Sequence, residues 1–217
     1  MIINHDNSNL LIIEKKNEVY ITIECEPDIQ REISEFFTFY VPGYKFMPAF
    51  RNRMWDGKIR LYSQKTKEIY FGLFPYIRAF AEERGYQIVS GEDVEINNKV
   101  DKEIVKKFSN SLGQKFEARD YQIDAIYHSL KFNRALLLSP TASGKSFIIY
   151  SLIRYYSHLI KDTLNNRILL IVPTTSLVEQ MYSDFQSYGW NVKKNCHRLY
   201  SGYSNQTDKK VLISTWQ

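Results

Sequence analysis

Long apolar runs are missing from this sequence. The most continuous, "ALLL" and "ILLIV", cover four and five residues, far short of the roughly 20 that a membrane-crossing helix needs. The N-terminal "MIINHDNSNLLIIEKK" places no basic region ahead of a sustained apolar stretch, so no secretory leader is read there. Both absences point to a soluble protein of the cytoplasm. Cysteine is scarce as well. Cys25 and Cys196 are the only two, far apart and outside any C-x-x-C pair, which excludes a disulfide framework and leaves two reduced thiols. The four histidines (His5, His128, His158, His197) show no metal-ligand spacing, so no metal site built from protein ligands alone is expected.

What is present is enough apolar material for packed cores: 44% hydrophobic and 15% aromatic over 217 residues, room for one large domain or two small ones. Net charge is +5, a mild lean toward a polyanionic partner. Its distribution is more telling. Between Lys45 and Lys67 lie seven cations (Lys45, Arg51, Arg53, Lys58, Arg60, Lys65, Lys67) and one acid, Asp56, a net of +6 that leaves the rest of the chain at −1.

The patterning changes along the chain. From Val19 to about Val89 it reads as a small α+β unit: "VYITIEC" is strand-like, and "PDIQREISEFFTF" carries Ile29, Ile33, Phe36 and Phe37 at helical spacing behind Pro27. "FRNRMW" and "IRLYS" flank Asp56-Gly57-Lys58 and predict a hairpin, and "PYIRAFAEERGY" predicts a helix from Pro75 to Gly85. Residues 91–115 are polar and weakly periodic, the expected linker, with one short helix near Lys102–Phe108. Beyond Arg119 helices alternate with short apolar strands: "RALLLS", "RILLIV" and "KVLIST" are read as buried parallel strands, with helices over "YQIDAIYHSLK", "KSFIIYSLIRYYSHLI" and "TSLVEQMYSDFQSYG". The expected fold class is α/β: a small α+β domain (1–90), then the linker, then a parallel-sheet domain (116–217).

One more absence stands at the centre of that second part. "SPTASGKS", residues 139–146, ends as a phosphate loop does but has Ser139 where the G-x-x-x-x-G-K-[ST] motif opens on glycine. Such a loop must offer backbone N–H groups and a helix N-terminus to an anion, with the lysine reaching the β- and γ-phosphates and the hydroxyl binding Mg²⁺. Here a strand-like "RALLL" enters and a helix-like "SFIIYSLIRYY" leaves, the required context. A structural turn that happens to carry a lysine is the bland alternative.

The substituted opening position resembles the loops of superfamily 2 helicases, where a small residue followed by Pro-Thr precedes Gly-Lys-Thr/Ser. "ARDYQIDAI" (118–126) resembles the Q motif of that superfamily, "IVPTTSLVEQM" (171–181) its motif Ia, and "VLISTWQ" (211–217) its strand-Thr-x-Gln element, with Gly202 a candidate glycine motif between them. The stretch "GYKFMPAFRNRMWDGKIRLYS" ahead of these is similar to the N-terminal domain of phage UvsW-type helicases, DNA-remodelling motors. The resemblance covers about Val19 to Gln217.

That resemblance implies a RecA-like ATP-binding domain of which this sequence holds the N-terminal part, with ATP and Mg²⁺ as cofactors. Lys145 and Ser146 would be the catalytic pair, Ser146 also the metal ligand. Phe116, Arg119 and Gln122 would hold adenine, and Ser139, Pro140, Thr141, Ala142, Ser143 and Gly144 the phosphates. Thr174, Thr175, Gln180 and Thr215 would meet DNA phosphates. The implied activity is an ATP-dependent helicase or translocase acting on branched DNA in recombination, replication or repair, placed in the host cytoplasm if a phage encodes it. Such motors also need an acidic D-E-x-H segment and a second domain supplying arginines. Neither precedes Gln217, so the sequence is expected to be a fragment, alone giving weak ATP binding and no turnover.

From its own residues, the 45–67 stretch interleaves cations with aromatics, as a nucleic-acid grip does. Arg51, Arg53, Lys58 and Arg60 are expected to touch DNA, with Trp55 either stacking on bases or packing inward. Alternation turns Phe46, Phe50 and Tyr62 toward the core. The rival readings are a non-catalytic DNA-binding protein with a vestigial motor scaffold and a small-molecule kinase with the same loop, whose lid and substrate arginines are not recognisable.

Overall fold

Residues 9–94, 98–161 and 165–216 are described by a computed structural model, and the chain falls into two units, 1–96 and 97–217. His5 and Gln217 lie outside the described residues.

In the first unit, β1 (Leu10–Lys15) and β2 (Tyr20–Glu24) lead to α1 (Pro27–Phe36), β3 (Thr38–Tyr40), α2 (Pro48–Arg51) and β4 (Lys58–Arg60). Then come β5 (Tyr62–Ser63), β6 (Glu68–Tyr70), α3 (Phe74–Arg84) and β7 (Gln87–Ser90). A five-stranded sheet runs β5-β6-β2-β1-β7, with only the β1–β7 pair parallel. Alternation sends Leu11, Ile13, Ile21, Ile23 and Ile69 to one buried face, where they join Ile29 and Ile33 of α1 and Ile77, Phe80 and Ala81 of α3 in a single core. Each fully buried Ile or Leu contributes about 1.5–3 kcal/mol relative to exposure. Pro27 opens α1, and Gly85 closes α3 in the left-handed region at φ 70°, with the Tyr86 N–H donating to Ala81 O.

Two sequence expectations change here. Within the 1–90 domain the strand patterning read from Val19 starts earlier, because "LLIIEK" forms β1, an interior strand of the sheet. The hairpin expected over 50–63 does not form. Pro48 starts α2, which turns "PAFR" helical, and β4 pairs instead with β3 in a two-stranded ribbon, Phe39 facing Ile59.

The second unit holds α4 (Lys102–Asn110), α5 (Asp120–Phe132), α6 (Lys145–Leu159), β8 (Ile168–Val172), α7 (Thr175–Ser187), α8 (Val192–Asn195), β9 (Cys196–Leu199) and β10 (Val211–Thr215). Strands β8, β10 and β9 form a parallel sheet with β10 in the middle, the architecture of a partial RecA-like domain. Residues at i, i+3 and i+7 line the buried faces of the helices: Ile123, Ile126 and Leu130 on α5, and Val178, Met181 and Phe185 on α7. Asp101 caps α4 by accepting from the N–H groups of Glu103 (2.7 Å) and Ile104 (3.2 Å), and Val105 joins this unit's core.

"RALLLS" is not a buried strand. Residues 135–140 join none of the sheets, and Leu136 and Leu138 are 84% and 88% exposed. A strand exists only where a neighbour takes its N–H and C=O groups, and β8, β9 and β10 bond only to one another among the described residues. No helix of the described residues is long and apolar enough to cross a membrane.

Candidate functional site

Gly144 sits at φ 76° as the N-cap residue of α6, and Lys145 and Ser146 form that helix's first turn. A 15-residue helix presents unsatisfied N–H groups and the positive end of its dipole at this point. Positive φ outside glycine occurs at Ala142 in the loop but not at Ser139. The backbone at Ser139 therefore takes a side chain without strain, which explains the absent opening glycine, and its hydroxyl meets that of Ser143. The Ser143 hydroxyl also lies 2.9 Å from Pro140 O. Lys145 Nζ folds back onto the loop, donating to Ser139 O (3.1 Å) and Pro140 O (2.5 Å).

The start of α5 is bonded to this loop. Gln122 is 4% exposed; its Oε1 accepts the Arg119 N–H at 3.0 Å and its Nε2 donates to Ser143 O at 3.2 Å. Arg119 Nη1 donates to the Tyr121 hydroxyl, which donates to Ser143 O at 2.9 Å. A methyl group on Gly144 would collide with Gln122 Nε2. Gln122, expected to read a base edge, thus has both ends of its amide committed within the protein. A cavity of about 520 Å³ opens beside the loop, bounded by Tyr121, Ala125, Ile148 and residues 136–143.

Ser146 Oγ lies 2.8 Å from the hydroxyl of Tyr188, a residue no motif points to. The Tyr188 ring packs edge-on against Phe116 (5.8 Å) and Phe147 (5.7 Å), and Phe116, half exposed, meets Phe147 at 5.1 Å. Only three-dimensional packing brings residue 188 to residue 146, so no local sequence signal could have found it.

Thr175 and Thr215 come together across a second cavity of about 520 Å³ with Ser201, Asn205 and Ser214. Thr174 instead caps α7, its Oγ1 accepting the Leu177 N–H at 3.3 Å, and Gln180 is exposed away from that cavity. Glu179 on α7 accepts from Arg198 and from the Tyr200 hydroxyl, both at 2.5 Å, and the Tyr200 hydroxyl bond holds its carboxyl below the usual range. This pairing fastens α7 to the loop that bounds the cavity. Trp216 is exposed.

In the first unit the five predicted contacts divide between two surfaces. Arg51, Arg53 and Trp55 border a cavity of about 600 Å³, while Lys58 and Arg60 border another of about 430 Å³ with Tyr40. Lys58 Nζ stands 4.9 Å over the Tyr40 ring. Trp55 donates its indole N–H to Lys58 O at 2.9 Å, and Arg60 grips Asp56 with both terminal nitrogens. The Arg60 guanidinium, with the Lys58 N–H, lowers the Asp56 carboxyl to about 2. Gly57, at φ 80°, lies against the Tyr44 ring, and any Cβ there would collide with it. Tyr62 is buried as expected, but Phe46 points outward, 85% exposed. The inward expectation assumed a strand, whereas residues 44–46 form a 3-10 turn after Gly43 in the left-handed region. Burial pushes the Cys196 thiol up to about 12 and Cys25 to about 11, so both stay protonated and unreactive near neutral pH.

A glycine-capped Lys-Ser at the head of a helix, beside a parallel sheet and wired to the preceding helix, defines a phosphate-loop protein of the RecA-like class. Comparison with known proteins narrows this. Residues 12–91 match the family described as DNA helicase UvsW, N-terminal, and residues 115–217 match the type III restriction enzyme res subunit. In both parts the chain is similar to the UvsW-type helicases. It is 34% identical over 207 residues to the ATP-dependent DNA helicase uvsW of Enterobacteria phage T4, covering 91% of this chain and 40% of that protein. Two crystal structures of the phage T4 UvsW helicase each superpose with a TM-score of 0.81 over 95% of this chain, at 29% and 30% identity, covering 74% and 42% of those chains.

Proposed function

We propose that the chain is the nucleotide-loading part of an ATP-dependent DNA helicase or translocase that remodels branched DNA in the host cytoplasm. The observation that carries this reading is the loop geometry: Gly144 at positive φ opens α6, places Lys145 and Ser146 on its first turn, and is held from behind by Gln122.

In this reading the triphosphate displaces the loop carbonyls from Lys145, which turns to neutralise charge on the transferred phosphoryl group, while the α6 N–H groups cradle the phosphates. Ser139, Pro140, Thr141, Ala142 and Ser143 shape that cradle, and Gln122 keeps it in register. Phe116 and Arg119 take the adenine. The half-buried Ser146 hydroxyl, on the first turn and turned to the Tyr188 phenol, fits a Mg²⁺ ligand. Mg²⁺ bound there would supply charge neutralisation on the β- and γ-phosphate oxygens. Thr175 and Thr215 hold a DNA phosphate together, with Thr174 and Gln180 farther out on the same helix. In the first unit Arg51 and Arg53 on one surface and Lys58 and Arg60 on another make further DNA contacts, with Trp55 as a brace. Residues 91–115 link the two domains, 1–90 and 116–217, with the α4 part of that stretch packed into the core of the second.

The test is DNA-stimulated ATP hydrolysis in a protein of the full length of the T4 relative. Lys145→Ala should lower turnover at least a hundredfold with DNA affinity retained. Undiminished turnover would remove the loop from the mechanism.

A further inference from the structure

Phe46 and Met54 are the most exposed large apolar side chains among the described residues of the first unit, 85% and 77% accessible. Burying such side chains is strongly favoured, so their exposure does nothing for the fold. Neither hangs on a loose loop. The Phe46 N–H donates to Gly43 O at 2.9 Å and the Met54 N–H to Ala49 O at 2.9 Å. Beneath them Tyr44 stacks on Tyr40 (4.7 Å) and meets Phe50 edge-on (4.8 Å), while Trp55 is pinned by its bond to Lys58 O. Arg53 is held at φ 58°, a conformation that persists only where the surroundings impose it.

Cations surround Met54 and adjoin Phe46 in the sequence. Lys45, adjacent to Phe46, joins Arg51, Arg53 and Met54 around the 600 Å³ cavity, whose floor includes Phe50 and Trp55. Asp56, the one acid there, is already engaged by Arg60. Intact duplex presents mainly phosphates to such a surface and leaves the apolar tips against water. An unpaired strand offers a phosphate and a free base face in each nucleotide, matching cation and apolar side chain together.

We infer that this face of the N-terminal unit takes an unpaired DNA strand, with Phe46 and Met54 packing against exposed bases while Lys45, Arg51 and Arg53 hold the phosphates. The inference rests on the proposal that this surface binds DNA, and it names the form of DNA.

The experiment measures the affinity of the 217-residue chain for a single strand carrying 2-aminopurine and for a blunt duplex of equal length. The wild-type chain should quench the 2-aminopurine. Phe46→Ala with Met54→Ala should abolish the quench and weaken single-strand binding about tenfold, leaving duplex affinity within about twofold. Arg51→Glu with Arg53→Glu should weaken both. Equal loss on strand and duplex in the apolar variant, or no loss on either, overturns the inference while the DNA surface stands. So does a change of oligomeric state in that variant with single-strand affinity intact. If the arginine variant also binds both DNAs as wild type does, the DNA reading of this surface fails and the inference with it.

Discussion

Gln122 Nε2 donates to Ser143 O at 3.2 Å, so the first turn of α5 is bonded to the loop that opens α6. Gly144 leaves no room between them for a side chain. Gly144→Ala therefore meets both a collision and an unfavourable φ of 76°. ATP binding, measured by titration calorimetry, should weaken more than tenfold. Gln122→Ala removes one of the two donors to Ser143 O, Tyr121 keeping the other, and should lower stability by about 0.5–1.5 kcal/mol in denaturant unfolding.

Tyr188→Phe tests the partner that sequence could not name. A serine hydroxyl that gives a lone pair to Mg²⁺ must still place its proton, and Tyr188 Oη is 2.8 Å away to accept it. The variant keeps the ring packing against Phe116 and Phe147. The Mg²⁺-dependent part of ATP binding should fall about tenfold while binding in EDTA stays unchanged. Equal weakening in both conditions would reduce Tyr188 to a packing role.

Gly57→Ala should destabilise the N-terminal unit by about 3 kcal/mol, because a β-carbon there adds left-handed strain to a collision with the Tyr44 ring. Urea unfolding followed by tryptophan fluorescence would report it. Unfolding indistinguishable from wild type would show that Tyr44 moves freely.

Asp56 carries a pH signature. Arg60 holds its folded-state value at about 2, below the ordinary aspartate value of about 3.9. Its contribution to stability is therefore present above about pH 4 and disappears as pH falls toward 2. Thermal melts of wild type and Asp56→Asn should differ at pH 5 and converge near pH 2. A constant difference across that range would separate the residue's role from its charge.

The helices were legible because their signals are local. Ile29 and Ile33 on α1, and Val178, Met181 and Phe185 on α7, repeat at helical spacing, and Pro27 and Gly85 mark boundaries. The Gly-Lys-Ser step was legible for the same reason. Strand pairing was not, since it depends on neighbours far along the chain. "LLIIEK" and "RALLL" are equally apolar, yet only the first finds partners among the described residues. Phe46 escaped because a period of two was applied where Gly43 and Pro48 set turns instead. Tyr188 escaped because 42 residues separate it from the hydroxyl it meets.

Nucleoside triphosphate binding at residues 139–146 is proposed to run through Lys145. The most direct measurement is the affinity of the 217-residue chain for ATP with Mg²⁺, against the same chain carrying Lys145→Ala, both shown folded by circular dichroism. Among the described residues Lys145 donates to loop carbonyls, so the variant should keep its fold and lose at least tenfold in affinity. Equal ATP affinity in the two folded chains would show that Lys145 takes no part in nucleotide binding.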